Sequence, residues 1–139
     1  MKQIDKIFHI ADIHIRNLKR HNEYKQVFGR LYSEIRSRKT DNSLIVVAGD
    51  IAHSKTEMSP ELIQMIKEFF LNLSGLCDTI VITGNHDCNL NNTHRLDVLS
   101  PIVESMNLSN LFYYKDSGVY THGNVDFVVW SIFDGEENY

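Results

Sequence analysis

Apolar and polar positions are laid out in blocks along the chain. Three short apolar runs, residues 7–11, 44–48 and 81–83, each stop at polar residues. All are of strand length. The second is apolar throughout, as a strand covered on both faces would be. Between the first two, Tyr24, Val27, Phe28, Leu31 and Ile35 recur at three- and four-residue steps. That spacing predicts an amphipathic helix over residues 22–39, weakened a little by Gly29, with Thr40-Asp41-Asn42-Ser43 as the turn back. Between the second and third runs, the polar segment 51–58 is followed by Ser59-Pro60-Glu61-Leu62. Ser59 reads as an N-cap and Pro60 as the first helical residue. Leu62, Ile63, Ile66, Phe69, Phe70 and Leu73 form the buried face, and Gly75 is the stop. Strand, helix, strand, helix, strand implies parallel strands with right-handed crossovers, an α/β fold.

Past Asp87 the pattern predicts a polar loop over 89–93 and a helix over 96–106, kinked or broken at Pro101. Short strands follow at 111–114, 119–121 and 125–132, joined by turns at Asp116-Ser117-Gly118 and His122-Gly123-Asn124. The chain then ends in a polar loop, 133–139, directly after an apolar strand. This reads as a fold cut short, so that residues 1–139 form the N-terminal part of a domain. On that reading the face of Phe127 and Val129 lies uncovered, and the protein self-associates through it.

A length of 139 residues allows one domain or part of one, and 42% apolar with 23% charged residues is ordinary for a soluble chain. No window approaches the roughly 18 apolar residues of a membrane span. No signal-peptide core precedes the first strand, so the expected compartment is the cytoplasm, or the nucleus in a eukaryote. The two cysteines, Cys77 and Cys88, are too few for a disulfide framework. Cys77 suits a small core position. Cys88, next to Asp87, would be a soft ligand in a hard site. A net charge of −4 argues against attraction of nucleic acid over the whole surface. It leaves room for a local basic rim at Arg16, Lys19, Arg20 and His21, which is either a solvated turn or a grip on a polyanion.

The candidate chemistry sits where the apolar runs stop. The first ends in Asp12-Ile13-His14, the second in Gly49-Asp50, the third in Gly84-Asn85-His86-Asp87. Ligands of parallel α/β sheets collect outside the carboxyl ends of the strands, so three neighbouring strands would bring these groups to one spot. If strand periodicity persists, Asp12 and His14 face the same way. Gly84 lets the backbone approach a neighbour closely. Taken singly, each pair is more often a capping acid with a surface histidine. Together they suit divalent metal and phosphate.

The three signals in this order resemble the calcineurin-like metallophosphoesterases. The runs A-D-I-H-I-R, A-G-D-I-A-H-S-K with S-P-E-L after it, and T-G-N-H-D are most similar to the nuclease subunit of SbcCD-type DNA repair complexes, over residues 7–99. The resemblance implies an α-β-β-α sandwich and two divalent ions, usually manganese. It implies that Asp12 and His14 bind the first ion, that Asp50 bridges both, and that Asn85 binds the second. His86 would face the phosphate as charge stabiliser or acid, Asp87 would orient His86, and His53 and Arg16 would touch substrate. The reaction would be metal-dependent phosphodiester hydrolysis by a DNA exo- or endonuclease through a metal-activated water. The partners would be DNA, an ATPase of the SbcC type and a second copy of the chain, with no membrane.

The family completes its site with later G-H and G-H-x-H motifs, which this sequence lacks. His94 and His122 are poor substitutes, so about half of the metal shell is present. Weak metal binding and little hydrolysis by the chain alone are therefore expected. The alternatives are a phosphoesterase for small nucleotides or phosphoproteins, and a non-catalytic scaffold. The phosphoprotein branch typically continues G-D with V-D-R-G and uses G-N-H-E, unlike Ile51-Ala52-His53-Ser54 and Asp87 here.

Overall fold

The computed structural model describes residues 2–54, 56–87 and 97–134. Cys88, the loop 89–93, His94, the start of the expected third helix and the last five residues lie outside the described residues. Strands β1 (Lys6–Ile10), β2 (Ser43–Ala48), β3 (Asp78–Ile82) and β4 (Leu111–Tyr113) form one sheet in the order β1-β2-β3-β4. All three pairings are parallel. Helices α1 (His21–Arg38), α2 (Pro60–Ser74) and α3 (Leu99–Met106) connect them. Strands β5 (Gly118–His122) and β6 (Val125–Val129) form a separate antiparallel hairpin.

The two-residue period of β2 divides the core. Ile45 and Val47 point to one side, where Phe28, Ile35, Leu62, Ile66, Phe69, Phe70, Leu73 and Leu99 bring in all three helices. Leu44 and Val46 point to the other, where Ile4, Ile80, Tyr114, Val129 and Phe127 bring in the hairpin. The sheet is thus covered by helices on one face and by β5–β6 on the other, three layers of an α-β-β arrangement.

Three expectations change here. The strand 111–114 does not open a meander with the next two. It pairs parallel to β3 and completes the first sheet. Pro101 does not kink a helix: α3 begins at Leu99, which puts Pro101 in the first turn, where the missing N–H has no intrahelical partner to lose. The face of Phe127 and Val129 is covered rather than open. Val129 is 7% exposed and packs on the parallel sheet, while the opposite face of the hairpin carries the exposed Val119 and Val128.

The hairpin is fastened at its turn. Gly123, at φ 62°, passes so close to the Lys2 carbonyl that a Cβ would lie 2.2 Å from it. Asn124 exchanges side-chain hydrogen bonds with the Ile4 backbone. His122 and Lys2 both reach Asp78 at 3.1 Å, so His122 serves this clamp and not the strand ends. Helix α2 begins as read from the sequence, with Ser59 accepting from the Leu62 N–H at 3.1 Å and Pro60 first. Helix α3 is capped by Asp97, whose buried carboxylate accepts from the N–H groups of Leu99 and Ser100, from the Ser100 hydroxyl and from Lys115.

Truncating Phe69, fully buried between α1 and the sheet, to Ala should cost about 3–5 kcal/mol, read from urea unfolding. Burial opposes ionisation of Asp97, but Ser100 and Lys115 outweigh it and hold the carboxyl below its ordinary range. A depressed folded pKa contributes stability above the unfolded value of about 4 and loses it as pH falls through the folded one. The urea midpoint of Asp97→Asn should therefore depend less steeply on pH between 2 and 5 than that of the wild type.

Candidate metal centre

The ends of β1 and β2 do not simply fray into loops. Beyond the strands, the Asp12 N–H meets the Gly49 carbonyl at 3.3 Å, His14 meets Asp50 at 2.9 Å, and Ile15 meets Ile51 at 2.8 Å. A last parallel bridge joins Ile15 to Ala52. The path between is not extended. Asp12, His14 and Asp50 take φ of 56°, 49° and 52°, and Gly49 takes 82°. Aspartate and histidine tolerate this left-handed region better than most residues, and such conformations concentrate at functional sites. The expected strand period is therefore broken at Asp12. The two side chains still meet, through two left-handed turns: His14 Nε2 lies 3.8 Å from Asp12 and 3.9 Å from Asp50.

The third strand end is brought in by a glycine contact. A Cβ on Gly84 would fall 2.2 Å from Asp50 Oδ1, and one on Gly49 would fall 2.8 Å from Gly84 Cα. The turn that follows, a short 3-10 helix over Asn85–Asp87, is stitched to the β2 loop by Asp87. This carboxylate is fully buried and accepts from the N–H groups of Ile51, Ala52 and Gly84 at 2.9–3.3 Å. Burial pushes its pKa up, opposed by those donors. The role expected for Asp87, orienting His86, falls to another group: His86 Nδ1 bonds the His53 carbonyl at 2.7 Å. The reason is position: the Asp87 carboxylate is taken up by the backbone N–H groups of Ile51, Ala52 and Gly84.

The result is a cluster at the strand tips. Asp12, His14 and Asp50 each place a donor atom within 4.8 Å of the others, as do His14, His53 and His86. His14 belongs to both groups. Its ring lies edge-on to His86 with centroids 4.7 Å apart. The Asn85 amide lies 3.1–3.2 Å from both Asp50 oxygens, where its NH2 can donate to the carboxylate or its oxygen can share a cation with it. The Asp50 carboxylate also accepts from the His86 N–H at 2.9 Å.

The residues fit a divalent ion. Hard cations bind oxygen and imidazole donors at about 2.0–2.2 Å, so donors on one ion stand up to about 4.4 Å apart, and 3.8 and 3.9 Å fall inside that reach. Asp50 lies between His14 on one side and Asn85 on the other. Among the described residues, His14 Nδ1 is buried with no hydrogen-bond partner. Tyr24 fixes the same residue by donating to its carbonyl at 2.6 Å.

His53 is the residue whose place the sequence indicated least. D-I-A-H suggested a substrate contact. The structure sets its imidazole beside His14 and His86, and desolvation, then Arg16 and these two rings, lower its pKa. On one side of the cluster a cleft is lined by His14, Arg16, Lys19, Arg20 and Tyr24. On the other lie His53, Ser54, Thr56, Asn85 and His86. The cavity between α1 and α2, lined by His21, Lys25 and Glu61, is away from this chemistry. No helix among the described residues is long and apolar enough to cross a membrane.

A family model described as calcineurin-like phosphoesterase matches residues 5–138. An uncharacterized protein of Acanthamoeba polyphaga mimivirus is 51% identical over 136 residues, which is 96% of this chain and 10% of that protein. The chain thus spans about a tenth of the length of the curated relative it matches.

Gly84→Ala should force Asp50 and Asn85 apart and lower manganese affinity at least tenfold in a titration of the folded protein. Asp87→Ala should cost about 3 kcal/mol or more, since two buried N–H groups and the part-buried one of Gly84 lose an ionisable acceptor. Chemical denaturation measures this, and an unchanged midpoint would remove Asp87 from the account.

Proposed function

The chain belongs to the calcineurin-like phosphoesterase family, and from that premise we propose that it carries the metal-binding strand ends of a phosphodiester hydrolase acting on DNA, of the repair-nuclease type. The observation that supports this most is the meeting of groups from three different strand ends: Asp12, His14 and Asp50 place donor atoms within 4.8 Å of one another, and the Asn85 amide lies 3.1–3.2 Å from Asp50.

In this reading Asp12 and His14 would hold one divalent ion and Asn85 a second, with Asp50 serving both. Such ions, manganese by preference, would supply an activated water and a clamp on the phosphoryl oxygens. The chain's own groups do the remaining work. The His86 Nδ1–H donates a hydrogen bond to the His53 carbonyl, so in the imidazolium form His86 turns Nε2–H outward, and that is the proton passed to the leaving sugar oxygen, which leaves the ring neutral. His53, level with it, contacts the phosphate. Arg16, Lys19 and Arg20 line the adjoining cleft and hold neighbouring phosphates of a strand. A phosphomonoester of a small molecule would have no further phosphates for them. An ATPase of the SbcC type and a second copy of the chain are the partners this reading assigns.

The test is cleavage of single- and double-stranded DNA against a small phosphodiester, with manganese, under single-turnover conditions. Asn85→Ala should lose metal. His86→Ala should keep metal and slow cleavage by about 10²–10⁴-fold. Arg16→Ala should weaken DNA binding and flatten its salt dependence while sparing the small diester. Undiminished cleavage in chelator, or a clear preference for phosphomonoesters, would refute the reading.

A further inference from the structure

A second polar network lies behind the metal centre, and neither the sequence motifs nor the mechanism above uses it. Thr83 directly precedes Gly84 and is 8% exposed. Its hydroxyl bonds the Tyr113 hydroxyl. Tyr113 lies at the end of β4, paired with Val81 of β3, and its hydroxyl donates to Asp97 Oδ1 at 3.1 Å. Asp97 has no exposed side-chain surface, and Lys115 bonds its other oxygen at 3.0 Å. The residue after it, Val98, donates its N–H to the Asp87 carbonyl at 2.8 Å.

This chain of bonds has a direction. Asp97 already accepts from two backbone N–H groups, the Ser100 hydroxyl and the Lys115 ammonium. A carboxylate with four such donors acts only as acceptor. The single Tyr113 hydrogen therefore goes to Asp97, and Tyr113 accepts the hydrogen of Thr83. Each hydroxyl rotor is fixed by the next, which locks the Thr83 side chain. The backbone it anchors has no slack: Gly84 already touches Asp50 so closely that a single added carbon would collide. The Asn85–Asp87 turn is thus held at its entry by Thr83 and at its exit by the Val98 N–H, and both holds originate at the Asp97 cap.

We propose that Asp97 and Tyr113 are positioning residues for the metal centre, setting through Thr83 and the Asp87 carbonyl how near the Asn85 amide stands to Asp50. They touch neither metal nor substrate. The inference rests on the metal-dependent reading above, in which Asn85 is a ligand, and it adds residues that no strand-end motif contains.

The experiment uses Tyr113→Phe, which removes the link to Asp97, Thr83→Val and the pair, with Thr83→Ser as the variant that keeps the donor. Two readouts are taken. The first is the amide NMR spectrum without metal. Tyr113→Phe should shift the backbone signals of Gly84 and His86 and the side-chain amide of Asn85, and leave those of α1 in place. The second is manganese binding, followed by the paramagnetic resonance of the free ion. Tyr113→Phe and Thr83→Val should each weaken it about tenfold, the double variant no more than either alone, and Thr83→Ser should bind like the wild type. Unshifted turn signals would overturn the proposal whatever the metal does. So would unchanged affinity in a wild type that binds manganese, or additive losses in the double variant. A wild type that binds no manganese would instead remove the metal-dependent reading, and the metal-free spectra would still decide whether Asp97 and Tyr113 position the turn.

Discussion

Two loops lie backbone against backbone at the tips of β2 and β3, and the site depends on that contact. The Asp87 carboxylate, fully buried, gathers the N–H groups of Ile51, Ala52 and Gly84. Gly49 and Gly84 allow the approach, because neither has a Cβ to hold the loops apart. Once the loops touch, the positions of Asp50 and Asn85 follow, since each is adjacent to one of the two glycines. Buried N–H groups need acceptors, and an acid at the end of the third turn meets that need while leaving the exposed positions before it free for chemistry.

Asp12 and His14 come from an extension of the sheet rather than a loop. Ile15, Ile51 and Ala52 are all fully buried, and the Ile15–Ala52 bridge, with the Ile15 N–H donating to the Ile51 carbonyl, carries β1 and β2 further after an interruption. The interruption is where Asp12 and His14 turn left-handed. Buried isoleucine on the far side pins a strained segment that would otherwise relax, a distribution of strain and support expected at working sites. The same segment continues into Arg16, Lys19 and Arg20, so one stretch supplies both Asp12 and His14 and the positive charge of the adjoining cleft.

Support from the fold is unequal on the two faces of the sheet. The helical face is large and aromatic, with Phe69 in contact with both Phe28 and Phe70. The hairpin face is smaller and is secured at one end by polar bonds among Lys2, Ile4, Asp78, His122 and Asn124. Its stacked Tyr114 and Tyr120 rings, 4.1 Å apart, join the sheet to the hairpin. The end of the sheet that carries Asp50 and Asn85 lies at the opposite end of β3 from Asp78, so the clamp holds the second layer without entering the cluster.

Local pattern determined the parallel sheet, the extent of α1 and α2, the Ser59 cap, and the clustering of Asp12, His14, Asp50, Asn85 and His86. Those features follow from periodicity and from the rule that polar residues after buried strands collect at one sheet edge, both of which are properties of neighbouring residues. Where Asp87 points was not legible, because its partners are 35 and 36 residues away and are backbone groups that any sequence would offer. The same holds for β4, too short to reveal its direction, and for the Phe127 face, whose burial depends on which side of the sheet the hairpin lands. Asp97 before Leu99-Ser100-Pro101 carried a readable capping signal, but its link to Thr83 through Tyr113 did not. Bonds between side chains 16 and 30 residues apart exist only after the strands have been placed side by side, and only the tertiary structure does that.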